Sequence, residues 1–360
     1  MRRLLALLLL CVSASACAST PVYRQFKDWV VACDNTARCE ARGANEISPL
    51  MLRLIAEAGP AGALSLTLES GVPIDVATLR VDGRPLALDA HHWTLSSEQD
   101  GMQTLDSQSP DHVRTLLKTL RNGHELTFGD GERQRGVPLD GLSASLLLID
   151  ETQGRLGNVT ALLRGGGKPA SQVPAAPGLP PAVKPAPPLP PLDDDTRERL
   201  IGTVRQAQSA LLEKEECYRP AEDDSADNNL DTAVALTPRE ALVLIECWRG
   251  AYQSSHLAFR TPMARPADAR RLVLPPMPMA PSPDNGRQVA WDAFTNAGYN
   301  NDESMLYHFA RGRGMADCGQ SASWVFDGRD FQLAHWNYLG DCRGGNPGDW
   351  PALWRSANSP

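Results

Sequence analysis

The sequence predicts a β-rich α+β protein, two domains of antiparallel strands with a few helices, joined by a proline-rich linker. Three observations carry that prediction. Short alternating apolar runs recur with hairpin-turn residues between them. Helical periodicity is confined to a few segments. Ten prolines fall between Lys168 and Leu192, where neither a helix nor a central strand can form.

The chain opens with Met1-Arg2-Arg3, an apolar run from Leu4 to Val12, and small residues Ser13 to Ala16. The apolar run is too short to span a bilayer. Positive start, apolar middle and small-residue exit make residues 1–18 a secretory signal peptide. Cleavage after Ala16 would leave Cys17 first, and cleavage after Ala18 would discard it. Ala14-Ser15-Ala16-Cys17 also matches a loose lipobox, so Cys17 is a candidate for lipidation. The expected location is the periplasm, as a soluble protein. The alternative is an outer-membrane lipoprotein, touching membrane only through a lipid on Cys17.

Residues 19–167 read as an N-terminal β-rich α+β domain. Trp29 to Cys33 alternates as a strand, Asp34-Asn35-Thr36 turns, and Arg38 to Ala41 returns, so Cys33 and Cys39 face each other. Met51–Glu57 and Ala63–Glu69 flank a second turn. Leu79–Val81 and Pro85–Leu88 flank Asp82-Gly83, a strong hairpin signal. A helix is expected from Ser109, with Pro110 in its first turn and Gly123 beyond its end. Val113, Leu116, Leu117 and Leu120 form its apolar face. A second helix is expected from about Asp140 to Gln153.

Residues 168–192 read as a stiff polyproline spacer, and residues 193–360 as a C-terminal α+β domain. Asp193-Asp194-Asp195 opens an amphipathic helix carrying Leu200, Val204, Ala207 and Leu211, its carboxylates matched to the helix dipole. Ala241 to Glu246 suits either a buried strand or part of a helix capped at Thr237. Ser323–Phe326, Asp327-Gly328 and Phe331–Ala334 make a late hairpin.

Composition narrows the function. The net charge is −8 and the isoelectric point about 5.4, which disfavours nucleic acid as a partner because phosphate binding needs a basic face. Six cysteines lie beyond the signal: Cys33, Cys39, Cys217, Cys247, Cys318 and Cys342. An even set in an exported chain implies disulfides. Sequence order suggests Cys33–Cys39, Cys217–Cys247 and Cys318–Cys342, one of fifteen pairings open to six cysteines.

Enzyme motifs are thin. There is no Gly-x-Ser-x-Gly elbow, no His-Glu-x-x-His and no Cys-x-x-Cys, and Gly165-Gly166-Gly167-Lys168 leads into prolines rather than a phosphate-binding helix. No catalytic residue and no cofactor are expected. His91 and His92 are expected at the surface, pointing to opposite faces of a strand. Asp223, Asp224, Asp227 and Asp231 form a weak oxygen-rich calcium candidate, without the glycine and terminal glutamate of an EF-hand. Arg311, Arg313 and Arg343 flank Cys318 and Cys342 and are the candidate corner for an anionic ligand, with pairing to Asp302, Asp317 or Asp341 as the competing use.

Three stretches carry a resemblance. One is Phe26-Lys27-Asp28-Trp29 with Val31 to Asn35 and Cys39. The next is Leu139-Asp140-Gly141 through Asp150-Glu151, Gln153-Gly154-Arg155 and Thr160-Ala161-Leu162. The last is Gly312-Arg313-Gly314, Asp317-Cys318-Gly319, Trp324, Asp327-Gly328, Phe331 and Cys342-Arg343-Gly344. Together they resemble a family of Gram-negative envelope proteins catalogued as domain of unknown function 1176. The stretch from Tyr23 to Asp150 is also similar to the invasion-associated locus B family, although that family's further cysteine pair is missing here. The resemblance implies an exported, disulfide-bonded, non-enzymatic binding or structural module of the envelope. Its expected partner is another envelope protein or a small ligand. The competing readings are a periplasmic hydrolase with a His/carboxylate site in the C-terminal domain, and an inhibitor or stress factor that binds another envelope protein.

Overall fold

The computed structural model describes residues 18–44, 50–98, 101–217, 230–280, 291–343 and 345–359. Residues 1–17, with the lipidation candidate Cys17, and the calcium candidates Asp223, Asp224 and Asp227 lie outside these.

The first half contains β1 (Val22–Phe26), β2 (Trp29–Cys33), β3 (Cys39–Ala44), β4 (Leu50–Ala56), β5 (Leu64–Ser70), β6 (Arg80–Val81), β7 (Arg84–Pro85), β8 (Thr94–Ser97) and β9 (Gln103–Ser107). These are followed by α1 (Pro110–Leu120), β10 (Glu125–Phe128), β11 (Arg135–Pro138) and α2 (Leu142–Thr152). One antiparallel sheet runs β1-β2-β3-β4-β5-β9-β8, and a smaller one runs β11-β10-β6-β7. Trp29, Val31, Leu52, Leu54, Leu66 and Leu68 fill one face of the large sheet. They pack on Val113, Leu117 and Leu120 of α1, Leu142, Leu146 and Ile149 of α2, and the small sheet. The apolar stripe expected for α1 is thus its buried face. Asp82 and Gly83 both take positive φ, as the turn between β6 and β7 demands.

The second half begins with α3 (Asp194–Ala207) and α4 (Ser209–Lys214), then β12 (Thr232–Thr237), β13 (Glu240–Arg249), β14 (Ser254–Pro262), β15 (Arg270–Arg271) and β16 (Phe294–Thr295). It closes with β17 (Gly298–Asn300), β18 (Met305–Arg311), β19 (Gly319–Phe326), β20 (Phe331–Leu339) and β21 (Ala352–Arg355). One sheet runs β12-β13-β14-β15 with β16 also on β14, and the other runs β17-β18-β19-β20-β21. Ala241 to Glu246 is therefore strand. Leu242 and Leu244 face the opposite sheet, while Ala241, Val243 and Ile245 lie under Leu200, Val204 and Leu212 of α3 and α4. A strand covered on both faces loses its alternation and reads like a buried helix.

The halves share a core. Tyr23, Val30 and Ala32, from the outer face of β1 and β2, cluster with Cys318, Ala322, Trp336, Leu339, Trp350 and Leu353. Beside this patch the same sheet face carries charge. Buried Arg42 pairs with Glu40 at 2.5 Å and reaches Asp349 at 3.2 Å. Arg53 contacts buried Glu69 as well as Asp349.

The proline-rich segment lies against the second half along much of its length. Val183 packs with Met305, Val325 and Ala334 on the outer face of the last sheet. Ala186 donates its N–H to the Phe326 carbonyl at 2.8 Å and accepts from Ser304 Oγ at 2.8 Å. Val183 accepts from Asn358 Nδ2 at 2.9 Å. Where the composition suggests a stiff spacer between domains, these bonds make a strap.

Candidate functional site

The three motif stretches meet at one place, the two-residue turn between β1 and β2. Lys27 takes φ 52° there. On one side the Asp28 N–H donates to the Asp140 carbonyl at 3.2 Å, and Lys27 Nζ pairs with Asp140 Oδ2 at 3.0 Å. His124 Nδ1 lies 3.0 Å from the other Asp140 oxygen. The hydrogen bonds from Lys27 and then His124 hold the Asp140 carboxyl below its ordinary pKa. Gly141 sits at φ 108°, and a side chain there would collide with the Phe26 carbonyl. On the other side Arg343 donates to Asp28 Oδ1 at 3.0 Å and to the Lys27 carbonyl at 3.2 Å. Gln25 donates to Asp341 at 3.1 Å.

The remaining motif residues are also bound into the fold. The Cys33–Cys39 disulfide closes a loop in which Asp34 is 1% exposed. Asp34 Oδ1 accepts from Thr36 N–H at 2.8 Å and Arg38 N–H at 3.1 Å, and Oδ2 from Arg355 Nε at 2.5 Å. Asn35 exchanges two bonds with the Arg355 main chain, at 2.8 and 2.7 Å. Gln153 donates to the carbonyls of Ala37 and Ala56, both at 2.8 Å. Arg155 holds Gln153 at 2.7 Å and donates to the Glu57 and Gly59 carbonyls at 3.0 Å. Asp150 accepts the N–H groups of Leu162, Leu163 and Arg164. Buried polar groups persist when so satisfied, and these atoms are fully engaged in joining β2, α2 and β21.

The disulfides are Cys33–Cys39, Cys217–Cys247 and Cys318–Cys342. Around the last of these the three candidate arginines go separate ways. Arg313 makes a fork on buried Asp317, with Nε at 2.7 Å. Arg343 is held by Asp28 and Asp341. Arg311 lies over the Tyr252 ring at 5.7 Å, and its buried Nε has no hydrogen-bond partner among the described residues. Asp231, the described member of the acidic quartet, is bound by Arg205 Nη2 at 2.8 Å and accepts the Glu246 N–H at 2.8 Å.

The three histidines of the second half, His256, His308 and His335, do not converge on a His/carboxylate site. His308 pairs with Ala322 across β18 and β19, whereas His335 pairs with Ser323 across β19 and β20, so the two point to opposite faces of their sheet. His256 is on the other sheet, bonded to the Leu230 carbonyl at 3.1 Å. Burial lowers the pKa of all three, His308 to about 4. His91 and His92 are exposed, but in a turn rather than on a strand.

A different feature emerges where the edge of the β14–β15 sheet passes the start of β20. A groove of about 1200 Å³ is lined by Arg260, Arg265, Arg270 and Arg271, with Glu240, Asp268 and Asp330 among them. Arg260 forks onto Glu240 at 2.9 and 2.6 Å, and Arg271 pairs with Glu215 and Asp292 at 3.1 Å each. Arg270 is exposed and has no ion-pair partner among the described residues. Val273, also on the groove wall, is 53% exposed. The sequence signal for this site was faint. Arg270-Arg271 sits in a short apolar edge, with no motif around it.

Fold and site together define a disulfide-bonded, β-rich protein whose signature residues build a junction between its halves. The chain belongs to the family described as protein of unknown function DUF1176, whose model matches residues 23–357. It is 30% identical over 347 residues to the uncharacterized protein YpfG of Escherichia coli K12, an alignment covering 93% of each chain. No solved structure matches. The comparisons show this family and not the likeness to invasion-associated locus B. Among the described residues no helix is long and apolar enough to cross a membrane, and the disulfides are compatible with export.

Proposed function

We propose that this is a periplasmic binding module that takes an extended acidic peptide segment of another envelope protein along the arginine groove. The exposed, unpaired Arg270 on an edge strand is the observation that carries this reading. Among the described residues β15 pairs only with β14, which leaves its outer edge available for strand addition. Arg270 would meet a carboxylate with its guanidinium fork, beside Arg265, which is held by Asp268 at 3.2 Å, and Val273 would seat an apolar side chain. The signature residues then serve to hold the two halves as a rigid support for this edge.

A photo-crosslinking residue at Val273 in living cells tests it. One discrete protein adduct is expected, lost on Arg270→Glu and retained on Arg133→Glu, a substitution at an exposed position of the first half, away from the groove. An adduct indifferent to Arg270→Glu, or none, contradicts the proposal.

A further inference from the structure

Two places in the described residues bring three metal-ligand atoms within 4.8 Å of one another: Asp317 with Cys318 and Cys342, and Asp89 with His92 and His112. The first is spent. Its cysteines are bonded to each other and its carboxylate is held by Arg313. The second has open ligand atoms. Asp89 Oδ2 lies 3.8 Å from Nε2 of His92 and 3.8 Å from Nε2 of His112, too far for hydrogen bonds. The two imidazoles stack with centroids 3.5 Å apart.

The surrounding contacts aim these atoms inward. The other Asp89 oxygen accepts the His91 N–H at 3.0 Å, which turns Oδ2 toward the histidines. His112 stands in the first turn of α1, where Ser109 is the N-cap. Ser109 makes no side-chain bond to the helix amides. Its Oγ instead lies 3.0 Å from His112 Nδ1. An Nδ1–H donated to that oxygen leaves the Nε2 lone pair facing Asp89 and His92. This is the outer contact that metal-binding histidines regularly have. A cap residue diverted from its helix to a histidine otherwise weakens the helix start.

We propose that Asp89, His92 and His112 form a surface site for a borderline divalent transition ion, Zn²⁺ or its neighbours, with Ser109 orienting His112. Two imidazole nitrogens and one carboxylate oxygen suit that class, and a fourth position stays open to water or an incoming ligand. Zinc bonds of about 2.0–2.2 Å require the three atoms to draw closer. His92 and Asp89, roughly half exposed on a turn, have room to do so. The site is on the first half, apart from the arginine groove, and does not depend on the function proposed for that groove.

Equilibrium dialysis of the disulfide-bonded mature protein against Zn²⁺, with metal counted by mass spectrometry, tests the site. The wild type is expected to hold one equivalent more than the His92→Ala/His112→Ala variant, while His91→Ala retains it. Ser109→Ala should weaken that equivalent about 10-fold or more. Substituted Co²⁺ should give the visible spectrum of a four-coordinate nitrogen–oxygen site, absent in the double variant. Equal zinc in wild type and double variant, or loss in His91→Ala with a native circular-dichroism spectrum, overturns the assignment.

Discussion

At the scale of single residues, the buried charges decide most. Arg42 is held between Glu40 and Asp349, and its neighbours keep its pKa raised although burial opposes the charge. Removing it strands Glu40, itself 5% exposed, without its closest cation. Arg42→Ala should therefore cost about 3–5 kcal/mol, read as a lower denaturant midpoint with an unchanged slope. Arg329→Ala, at an exposed position, should stay within about 0.5 kcal/mol. His308 gives a pH dependence of known sign. Its Nδ1 accepts the Thr295 N–H at 2.9 Å and its ring stands perpendicular to Trp291, and burial drops its pKa from 6.5 to about 4. The unfolded chain then binds the extra proton between those two values. Stability should fall as pH drops from 6.5 toward 4, by on the order of 3 kcal/mol. His308→Asn should flatten that part of the stability profile; an unchanged slope would refute the assignment. Neither arrangement was visible in the sequence, where Arg42 and His308 are ordinary members of strands. Register across strands, not spacing along the chain, creates their surroundings.

At the scale of elements, local signals carried well. The hairpin around Cys33 and Cys39, the Asp82-Gly83 turn, α1 with its proline start, α2 and the late β19–β20 hairpin all follow from short-range chemistry. β13 resisted because two covered faces remove its alternation. β15 and β16, two residues each, lack any pattern long enough to read. The motif residues carry the resemblance, but their role lies in long-range bonds: Asp34 and Gln153, with Arg155 behind it, tie the ends of β2 and α2 to each other and to β21. That network makes the Cys33–Cys39 loop an anchored element. Opening its disulfide with Cys33→Ser/Cys39→Ser should lower stability by about 2 kcal/mol, measured by chemical denaturation, and should expose the Asp34 region to faster amide exchange. Unaltered exchange there would mean that the hydrogen bonds alone suffice.

At the scale of the molecule, composition suggested two domains parted by prolines, yet contacts cross that division throughout. Tyr23, Val30 and Ala32 enter the core of the second half, Arg343 and Asp349 reach back to the first, and the strap of residues 168–192 is bonded to β19 and to the chain's last turn. Such long-range burial has no signature in local sequence, since each of those residues reads as an ordinary strand or loop position. The two halves therefore form one cooperative body, held at the junction of the motif stretches. The most direct test is to place a protease site at Gly178, which is exposed and has open space around it, cut the folded protein, and follow the product by gel filtration and calorimetry. The cut halves are expected to migrate together and unfold in a single transition. Halves that separate, or that melt in two independent transitions, would contradict it.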